Sequence, residues 1–439
     1  DLAVLRHNCT AMLATTDKLK ISFRAHTTEL ARMQVGAQTR DIRLVGSTLA
    51  ELEFLAPWLR EARDAGKTVN IIHGLPLTPS TIPRLATLAR ALGPRSIAIF
   101  ADHPSHLSLL ASVPAASWPG RIPVWVNVDV GDAREGVAGA ASPQLAAVAA
   151  ALVATRARTS LAGVYTHLGS SYAAREPAEA LHGLARELRG ARDGAEALRR
   201  AMRASGASVA ADADPDDRLC LSVGASPTAT AAQSLLDASA DAPAAAQAAD
   251  VRALLSQLRA EYAVELHAGV YPVLDLQQLA TRGPPAQSAQ ARRDAHAQLG
   301  LRVLAEVASV YADRDAPEAL IAAGTVALGR EPCQGYEGWG VVAPWPGRDS
   351  GADAGASAYY DAHGSRTGWI VSRVSQEHGV LAWRGAGPAR ELRPGERVLV
   401  WPNHACIAGT GFGWYLVVDS EEEDGGVRVR DVWGRCGGW

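Results

Sequence analysis

A chain of 439 residues, 48% of them hydrophobic and 20% charged, is long enough for a large core and too long for one ordinary domain. Its formal net charge of −3 excludes the broad positive field with which proteins bind nucleic acids or anionic membranes, and no apolar run reaches the length of a membrane span. We therefore expect two domains and no nucleic-acid or membrane partner.

Cysteine and lysine usage sets two further limits. The five cysteines are few and scattered, which predicts reduced thiols and favours a cytoplasmic protein over a disulfide-bonded one. Of the 43 basic residues only Lys18, Lys20 and Lys67 are lysines. A function that needs a catalytic lysine has few candidates here.

The first part of the chain alternates short apolar runs with longer amphipathic segments, the pattern of a parallel βα protein. Helix start signals precede four of the amphipathic segments. We predict an α/β fold, a (β/α)8 TIM-like barrel over residues 1–298, with a doubly wound open sheet as the competing fold. The eight candidate strands are Ile21–Arg24, Ile42–Val45, Thr68–Ile72, Ser96–Phe100, Pro123–Val128, Leu161–Thr166, Cys220–Val223 and Val264–Ala268.

Beyond residue 298 the pattern changes to Val-rich runs separated by Gly, Pro and Asp. Short runs between turn residues are typical of strands. We predict a mostly β domain over residues 299–439. Its candidate strands include Val303–Tyr311, Thr325–Leu328, Trp369–Val374, Val398–Trp401 and Trp414–Val418.

Polar residues follow predicted strands five and six, at the end of a barrel where active sites lie. Arg134 follows strand five and could face a ligand, although a rim arginine often pairs with a neighbouring acid such as Glu135. Tyr165 and Tyr172 bracket the loop after strand six. A tyrosine there can pack on a planar cofactor ring, and the alternative is an ordinary rim residue.

Small residues follow predicted strands seven and eight, where barrels often hold phosphate groups. Strand seven runs into Gly224–Thr230, where hydroxyls and backbone N–H groups meet a helix start. Strand eight runs into His267–Pro272, in which Gly269 permits close backbone approach. Either loop alone is more simply a turn, but the two together indicate a phosphate-bearing ligand.

A histidine and a cysteine stand two apart in the apolar stretch Val398–Ile407. If this stretch is a strand, the side chains of His404 and Cys406 project from the same face and can reach one metal ion. Two ligands cannot close a structural zinc site, so the pair suggests a catalytic metal with positions left for water and substrate. The alternative is a pair of packed residues without a metal.

Five segments resemble the eukaryotic, fungal-type D-serine dehydratases and the related D-threonine aldolases, pyridoxal-phosphate enzymes of fold type III with an alanine-racemase-like barrel. The resemblance implies pyridoxal 5'-phosphate in the barrel, zinc on His404 and Cys406, and a homodimer. The cysteine favours the dehydratase branch. The segments are Leu221–Thr230, Glu265–Gln278, Leu328–Cys333, Arg373–Gly379 and Trp401–Ile407.

The resemblance also implies a set of cofactor contacts. The phosphate would lie against Ser226, Thr228 and the backbone of Gly269 and Val270. Tyr165 and Tyr172 would border the ring and the phosphate, and Arg134 would approach the pyridine nitrogen. Three positions depart from the family: Val270 stands for asparagine, Ser226 for threonine and Ser170 for histidine.

The largest departure concerns a lysine. Family members carry a segment of the form His-Val-Lys-Thr-His-Lys after the first strand, and its first lysine binds the cofactor covalently. Here His26 is followed directly by Thr27, so about five residues are missing, the lysine among them. Lys18 and Lys20 precede strand one and Lys67 precedes strand three, so all three lie at the amino ends of strands, away from the end where barrel active sites lie. Either the natural protein has a segment that this sequence lacks, or a deletion ended the chemistry; the matching flanks favour the first.

The resemblance implies a lyase that converts D-serine to pyruvate and ammonia. Retro-aldol cleavage of D-threonine or other 3-hydroxy-D-amino acids, with the same cofactor and a metal, is the second hypothesis. A non-catalytic family member that lacks the lysine is the third.

Overall fold

The computed structural model describes residues 1–26, 41–206, 218–236, 242–281, 295–345, 359–361 and 367–438. The junction after His26, where the family lysine is expected, leads into residues 27–40, which lie outside the described part of the chain. No helix among the described residues is long and apolar enough to cross a membrane.

Eight parallel strands close into a barrel in sequence order, with β8 paired to β1. This confirms the predicted (β/α)8 barrel and excludes the open sheet, because an open sheet leaves its edge strands unpaired. The strands are β1 (Ser22–His26), β2 (Asp41–Gly46), β3 (Thr68–His73), β4 (Ile97–Phe100), β5 (Ile122–Asn127), β6 (Thr159–Thr166), β7 (Cys220–Val223) and β8 (Ala263–Ala268).

The helices that follow these strands start at ordinary capping signals. In the second helix Thr48 Oγ1 accepts a hydrogen bond from Glu51 N at 3.2 Å, and Glu51 Oε2 accepts one from Thr48 N at 2.9 Å. Its leucines, such as Leu52 and Leu59, are buried on one face. The helices of this region are α1 (Leu2–Leu19), α2 (Leu49–Asp64), α3 (Ile82–Leu92), α4 (Pro104–Ser112), α5 (Pro143–Ala154), α6 (Pro177–Ala204), α7 (Ser226–Ala231), α8 (Ala242–Glu261) and α9 (Leu276–Ala280).

Six antiparallel strands of the C-terminal region close into a second barrel, in the order β10-β13-β12-β11-β14-β9. In β9 buried Val303, Ala305 and Val307 alternate with exposed residues, which is the period of a strand with one face in a core. The strands are β9 (Val303–Tyr311), β10 (Glu318–Ile321), β11 (Gly340–Ala343), β12 (Gly368–Val374), β13 (Gly379–Arg384) and β14 (Arg397–Pro402), with β15 (Trp414–Val417) and β16 (Asp431–Gly434) as a separate pair.

One predicted strand is wrong. Thr325–Leu328 forms a single helical turn, α10, between Gly324 and Gly329. Its β-branched residues suggested a strand, but Gly329 N donates to Thr325 O at 2.9 Å and closes the turn instead. The last helix of the described chain is α11 (Ala405–Gly409).

The chain divides into two compact units. One comprises Asp1–Thr10, Tyr172–Glu176 and Val270–Arg435, and the other comprises Ala11–Ser171, Pro177–Gly269 and Cys436–Trp439. The domain boundary predicted after residue 298 stays a prediction.

The first ten residues are bound within their unit by contacts to the distant end of the chain. Leu2 N donates to Val418 O at 2.7 Å, and Arg6 pairs with Asp419 at 3.0 Å. Asn8 Nδ2 donates to the carbonyl oxygen of Pro272 at 2.9 Å. This unit is therefore assembled from segments at both ends of the sequence.

Candidate active site

Four aromatic side chains lie together at the carboxyl ends of the barrel strands. Tyr165 near the end of β6 stacks on His267 near the end of β8, with ring centroids 4.1 Å apart and an interplanar angle of 6°. The ring centroid of His26, the last residue of β1, lies 5.3 Å from that of His267, and its Nε2 lies 3.2 Å from Tyr165 Oη. His167, just after β6, donates through Nδ1 to Gly224 O at 2.9 Å. We call these four residues, Tyr165, His26, His167 and His267, the aromatic cluster.

Burial keeps the aromatic cluster uncharged. Loss of solvation lowers the pKa of His26 to about 3 and that of His167 to about 4. It also holds the pKa of His267 well below the ordinary value and raises the pKa of the Tyr165 phenol. At neutral pH the cluster presents neutral imidazoles and a protonated phenol.

A layer of charged side chains lies in the barrel interior, two residues closer to the amino ends of β1 and β8. Side chains two apart on a strand share a face, so Arg24 accompanies His26, and Glu265 accompanies His267. Arg24 Nε donates to Glu265 Oε1 at 2.6 Å, and Arg43 Nη1 donates to Glu265 Oε2 at 3.0 Å. Burial alone would raise the Glu265 pKa, but the charges of the two arginines outweigh it and the pKa lies below its ordinary value. Glu265 is therefore a buried carboxylate.

A serine connects the charged layer to the aromatic cluster. Ser222 Oγ lies 2.8 Å from Glu265 Oε1 and 3.0 Å from His267 Nδ1. The other ring nitrogen of His267, Nε2, is buried and has no hydrogen-bond partner among the described residues. A buried polar atom without a partner is costly, so a ligand group at that nitrogen would be stabilised.

The loops after β7 and β8 meet beside the aromatic cluster. Ser226 Oγ accepts a hydrogen bond from Gly269 N at 3.3 Å. A Cβ built on Gly269 would lie 3.6 Å from His26 Cβ, which is ordinary contact. Gly224 is constrained more strongly, because its φ is +143° and a Cβ there would lie 2.2 Å from the carbonyl oxygen of His267.

The hydroxyl of Thr228 is committed within the protein. Its Oγ1 donates to Glu187 Oε2 at 2.8 Å and accepts from Ala225 N at 2.8 Å. Glu187, on α6, also accepts from Leu168 N at 2.8 Å, so one carboxyl group holds the loops after β6 and β7. Burial raises the pKa of Glu187 to about 8. A phosphate at the Thr228 hydroxyl would compete with Glu187 for its hydrogen, and that contact stays a prediction.

Arg134 pairs with Glu135, which was the alternative to a ligand contact in the sequence analysis. It donates to Glu135 Oε1 at 2.7 Å, and its side chain is 58% exposed. Its charge nonetheless contributes to lowering the pKa of His26 and of His167, which burial lowers most. Tyr172 and Val270 fall in the unit that contains the C-terminal barrel. The other unit contains the remaining predicted cofactor residues Arg134, Tyr165, Ser226, Thr228 and Gly269.

The strand geometry assumed for the metal pair is wrong. Strand β14 ends at Pro402, His404 is the N-terminal cap of α11, and Cys406 lies in the first turn of that helix. The two side chains therefore do not share a strand face. Among the described residues, no group of three or more His, Cys, Asp and Glu side chains is placed to hold a metal ion.

The turn that carries His404 and Cys406 is fixed by buried polar groups. Asn403 Nδ2 donates to the carbonyl oxygens of Glu331 and Gly338 at 2.9 and 2.8 Å. Asp275 Oδ2 accepts from Ala405 N at 2.9 Å. These bonds end the strand and start the helix, and they set the positions of the residues on either side of Ala405.

The described residues offer suitable contacts for pyridoxal phosphate and for zinc. For pyridoxal phosphate, the orphaned Nε2 of His267 and the Ser226–Gly269 junction beside it suit a planar ligand with an anionic group. For zinc, imidazole and thiolate are preferred ligands, and two of them leave the remaining positions to water or substrate. The metal site of His404 and Cys406 stays a prediction that rests on donor chemistry.

Sequence reasoning missed most of this site. Arg24 and His26, and likewise Glu265 and His267, are polar pairs at the two-residue period of a strand within apolar runs, and that signal was available. Glu187 gave none, because a glutamate in an amphipathic helix is ordinarily solvated.

A family model described as "Alanine racemase, N-terminal domain" matches residues 1–239, more than half of the chain. The chain belongs to the alanine racemase N-terminal domain family. A second family model, described as "Putative serine dehydratase domain", matches residues 300–418. The resemblance inferred from the sequence is thereby confirmed.

Relatives of this alanine racemase family chain match it along nearly its whole length. The D-serine dehydratase of Schizosaccharomyces pombe is 29% identical over 100% of this chain and 90% of its own length. The D-serine dehydratase of Saccharomyces cerevisiae is also 29% identical, over 97% of this chain and 92% of its own. The solved D-threo-3-hydroxyaspartate dehydratase of Delftia sp. HT23 has a TM-score of 0.70, at 26% identity, over 100% of this chain and 96% of its own. The prediction of a lyase is confirmed at this level, since these relatives are named dehydratases.

Proposed function

We propose that this protein is a pyridoxal-phosphate-dependent dehydratase of 3-hydroxy-D-amino acids, with D-serine as substrate and pyruvate and ammonia as products. The observation that carries the proposal is the full-length similarity to two D-serine dehydratases. The aromatic cluster at the carboxyl ends of the barrel strands supports it, because that is where barrel enzymes bind their substrates.

The cofactor, when bound, withdraws electrons from the α-carbon of an amino acid, which is what loss of a β-hydroxyl requires. The chain would hold the phosphate at Ser226 Oγ and the backbone of Gly269. The protein itself contributes an environment that excludes water, since Tyr165 and His267 are buried. A neutral imidazole can accept a proton or a hydrogen bond, whereas the protonated phenol of Tyr165 can donate one.

Zinc, when bound, would polarise the departing hydroxyl as a Lewis acid. His404 and Cys406 would supply its protein ligands, and Asp275 would hold the turn between them through Ala405 N. A structure of a cysteine variant of a D-threo-3-hydroxyaspartate dehydratase is described as the metal-free form, which supports a metal in that enzyme.

The described chain offers no lysine at the carboxyl ends of the barrel strands. Lys20 precedes β1 and Lys67 precedes β3, so both lie at the amino ends of their strands. Lys18 lies near the end of α1, before β1 begins. We therefore assign dehydratase activity to a chain that contains the lysine segment after His26, and the sequence without it should bind ligands but turn over negligibly.

The test compares three full-length chains. The first is the chain as it stands, the second carries Val-Lys-Thr-His-Lys between His26 and Thr27, and the third carries the same insertion with arginine in place of the first lysine. Only the second should release pyruvate from D-serine, with none from L-serine. An intact mass of the protein from its natural source, larger by about five residues, would identify the second chain as the natural one. A folded lysine-containing chain that is inert toward D-amino acids would leave the non-catalytic interpretation standing.

A second substrate is favoured by the similarity to the D-threo-3-hydroxyaspartate dehydratase. The same three chains should therefore also be assayed with D-threo-3-hydroxyaspartate, whose dehydration yields oxaloacetate. Glycine and acetaldehyde from D-threonine, without pyruvate from D-serine, would favour the aldolase instead. The homodimer implied by the resemblance belongs to the same proposal, and light scattering on the eluting protein measures it.

A further inference from the structure

The strongest unassigned feature is the carboxyl group of Glu187, which is fully buried on α6 behind the loops that follow β6 and β7. Its Oε1 accepts a hydrogen bond from Leu168 N at 2.8 Å, and its Oε2 lies 2.8 Å from Thr228 Oγ1. The backbone carbonyl of the same residue accepts from Thr166 Oγ1 at 3.4 Å. Glu187 therefore contacts the end of β6 and both loops, and the proposed function gives it no part.

The charge of Glu187 changes close to neutral pH. Burial raises its pKa to about 8, hydrogen bonds to its oxygens lower it, and the charge of Asp132, in the loop after β5, raises it again. Arg186, the neighbour of Glu187 on α6, interacts electrostatically with Asp132. Tyr165 on β6 also faces Glu187, and it keeps its proton because burial raises its pKa. The ionised and the protonated forms of Glu187 are therefore both accessible between about pH 7 and pH 9.

In its ionised form Glu187 leaves Thr228 without a hydrogen for a ligand. A carboxylate only accepts hydrogen bonds, so the single hydroxyl hydrogen of Thr228 is donated to Oε2 of Glu187. The Thr228 oxygen accepts from Ala225 N at 2.8 Å. A phosphate oxygen that has no hydrogen of its own would then face only the lone pairs of Thr228.

In the protonated form the bond between Glu187 and Thr228 runs in the opposite direction. Oε1 of Glu187 accepts from Leu168 N, so the proton of the carboxyl group lies on Oε2 and is donated to Thr228 Oγ1. The hydroxyl hydrogen of Thr228 is released, and its acceptor within the described part of the protein is Ala225 O, at 3.1 Å. Protonation of one buried carboxyl group therefore converts Thr228 into a donor for an anion.

We propose that Glu187 is a positioning residue for the cofactor phosphate: Thr228 donates to the phosphate only while Glu187 is protonated, so that binding of pyridoxal phosphate is coupled to protonation of Glu187. This inference rests on the proposed function. The phosphate is the anion concerned because Thr228 is two residues from Ser226, whose Oγ accepts from Gly269 N at 3.3 Å in the predicted phosphate loops. Repulsion between the phosphate and an ionised Glu187 in this buried region acts in the same direction.

The first test measures the affinity for pyridoxal phosphate by equilibrium dialysis at pH 7 and at pH 9. The chain without the inserted lysine segment is used, so that no covalent bond to that lysine contributes. Glu187→Gln imitates the protonated form, because its NH2 group donates to Thr228 while its amide oxygen accepts from Leu168 N. The ligand itself titrates in this range, so the measured quantity is the ratio of the two dissociation constants. The unaltered protein should bind within about threefold of Glu187→Gln at pH 7 and about tenfold more weakly than Glu187→Gln at pH 9.

The matched control is Glu196→Gln on the same helix. The side chain of Glu196 is 47% exposed and its Oε2 lies 3.7 Å from Arg200 Nη1, so this variant should keep the pH dependence of the unaltered protein. Thr228 provides a second pair. Thr228→Ser keeps the hydroxyl and should bind within about threefold of the unaltered protein at pH 7, whereas Thr228→Val loses one hydrogen bond to the ligand and should bind about tenfold more weakly. Circular dichroism and thermal unfolding confirm that each variant is folded.

A further measurement needs no variant. Infrared difference spectra of the unaltered protein at pH 9, with carbon-13-labelled glutamate, should show the band of a protonated glutamic acid that appears when pyridoxal phosphate binds. The absence of this band overturns the inference.

The outcomes separate this inference from the proposed function. If the unaltered chain and the chain with the inserted lysine segment both fail to bind pyridoxal phosphate, the proposed function fails and the inference fails with it. If the unaltered protein binds and Glu187→Gln loses as much affinity between pH 7 and pH 9, the inference fails alone. Equal losses in Thr228→Ser and Thr228→Val would mean that the phosphate does not use this hydroxyl, and the inference fails as well.

Discussion

Replacing Glu265 by glutamine tests the charged layer of the barrel most directly. Four donor atoms converge on this carboxylate: Nε and Nη2 of Arg24 at 2.6 and 3.2 Å, Nη1 of Arg43 at 3.0 Å and Oγ of Ser222 at 2.8 Å. Glutamine keeps the size of the side chain but removes its charge, and it turns an NH2 group toward at least one of these donors. The guanidinium of Arg24 is then left buried without its carboxylate partner.

The expected cost follows from burial. The side chains of Arg24 and Glu265 are 1% and 0% exposed, and removing one partner of such a pair costs about 3–5 kcal/mol. The matched control is Glu53→Gln, because Glu53 and Arg84 form a similar pair at 2.7 Å with both side chains 43% exposed. An exposed pair contributes little to stability, so the control should unfold almost as the parent does.

Urea unfolding at pH 7, followed by circular dichroism, gives the free energy of unfolding of the unit that contains Glu265. Because the folded-state pKa of Glu265 lies below its ordinary value, the stabilisation is complete above the unfolded pKa and is lost as the pH falls through the folded one. Glu265→Gln should thus lose less stability on acidification than the parent does. A cost below about 1 kcal/mol at pH 7 would falsify the view that this pair is dry and fully engaged.

Three further substitutions address other parts of the chain. Gly224→Ala should destabilise the protein by about 2 kcal/mol or more in thermal unfolding, because φ is +143° and the new Cβ would lie 2.2 Å from the carbonyl oxygen of His267. The control is Gly413→Ala, which should be nearly neutral because a Cβ at Gly413 would have no atom within 4 Å. In the folded protein burial raises the pKa of Glu187 to about 8, against an ordinary value of 4.5. Folding therefore takes up a proton between these two values, and the free energy of unfolding should fall as the pH rises from about 5 to 8. In urea titrations Glu187→Gln should make the free energy of unfolding less dependent on pH in this range. His404→Ala should lose bound zinc in elemental analysis of the dialysed protein, and normal retention would remove His404 from the metal site.

The barrel was predictable because its strands are largely buried and flanked by helices, so that in the sequence they are apolar runs between amphipathic segments. The candidate strand Thr68–Ile72 and the observed β3 (Thr68–His73) differ by one residue. The loops that follow β7 and β8 were also located correctly, since the position of a loop follows from the strand that precedes it.

The metal turn was only partly predictable from local pattern. The run Val398–Ile407 is apolar apart from Asn403 and His404, and although Pro402 favours the end of a strand, nothing in the run shows that a helix follows. What ends the strand is tertiary: Asn403 is held by the backbone of Glu331 and Gly338, and Ala405 N is held by Asp275. The role of Glu187 is hidden for the same reason, because its partners are two loops that are distant in sequence.

The use of the first ten residues bears on how the chain is made. Leu2 and Asn8 are synthesised before their partners Val418 and Pro272, which follow hundreds of residues later. During translation the start of α1 therefore lacks its native contacts with Val418 and Pro272 at a stage when the eight-stranded barrel can already close. We expect ribosome-bound chains truncated shortly before Val418 to present this segment to proteases, and chains released at full length to protect it.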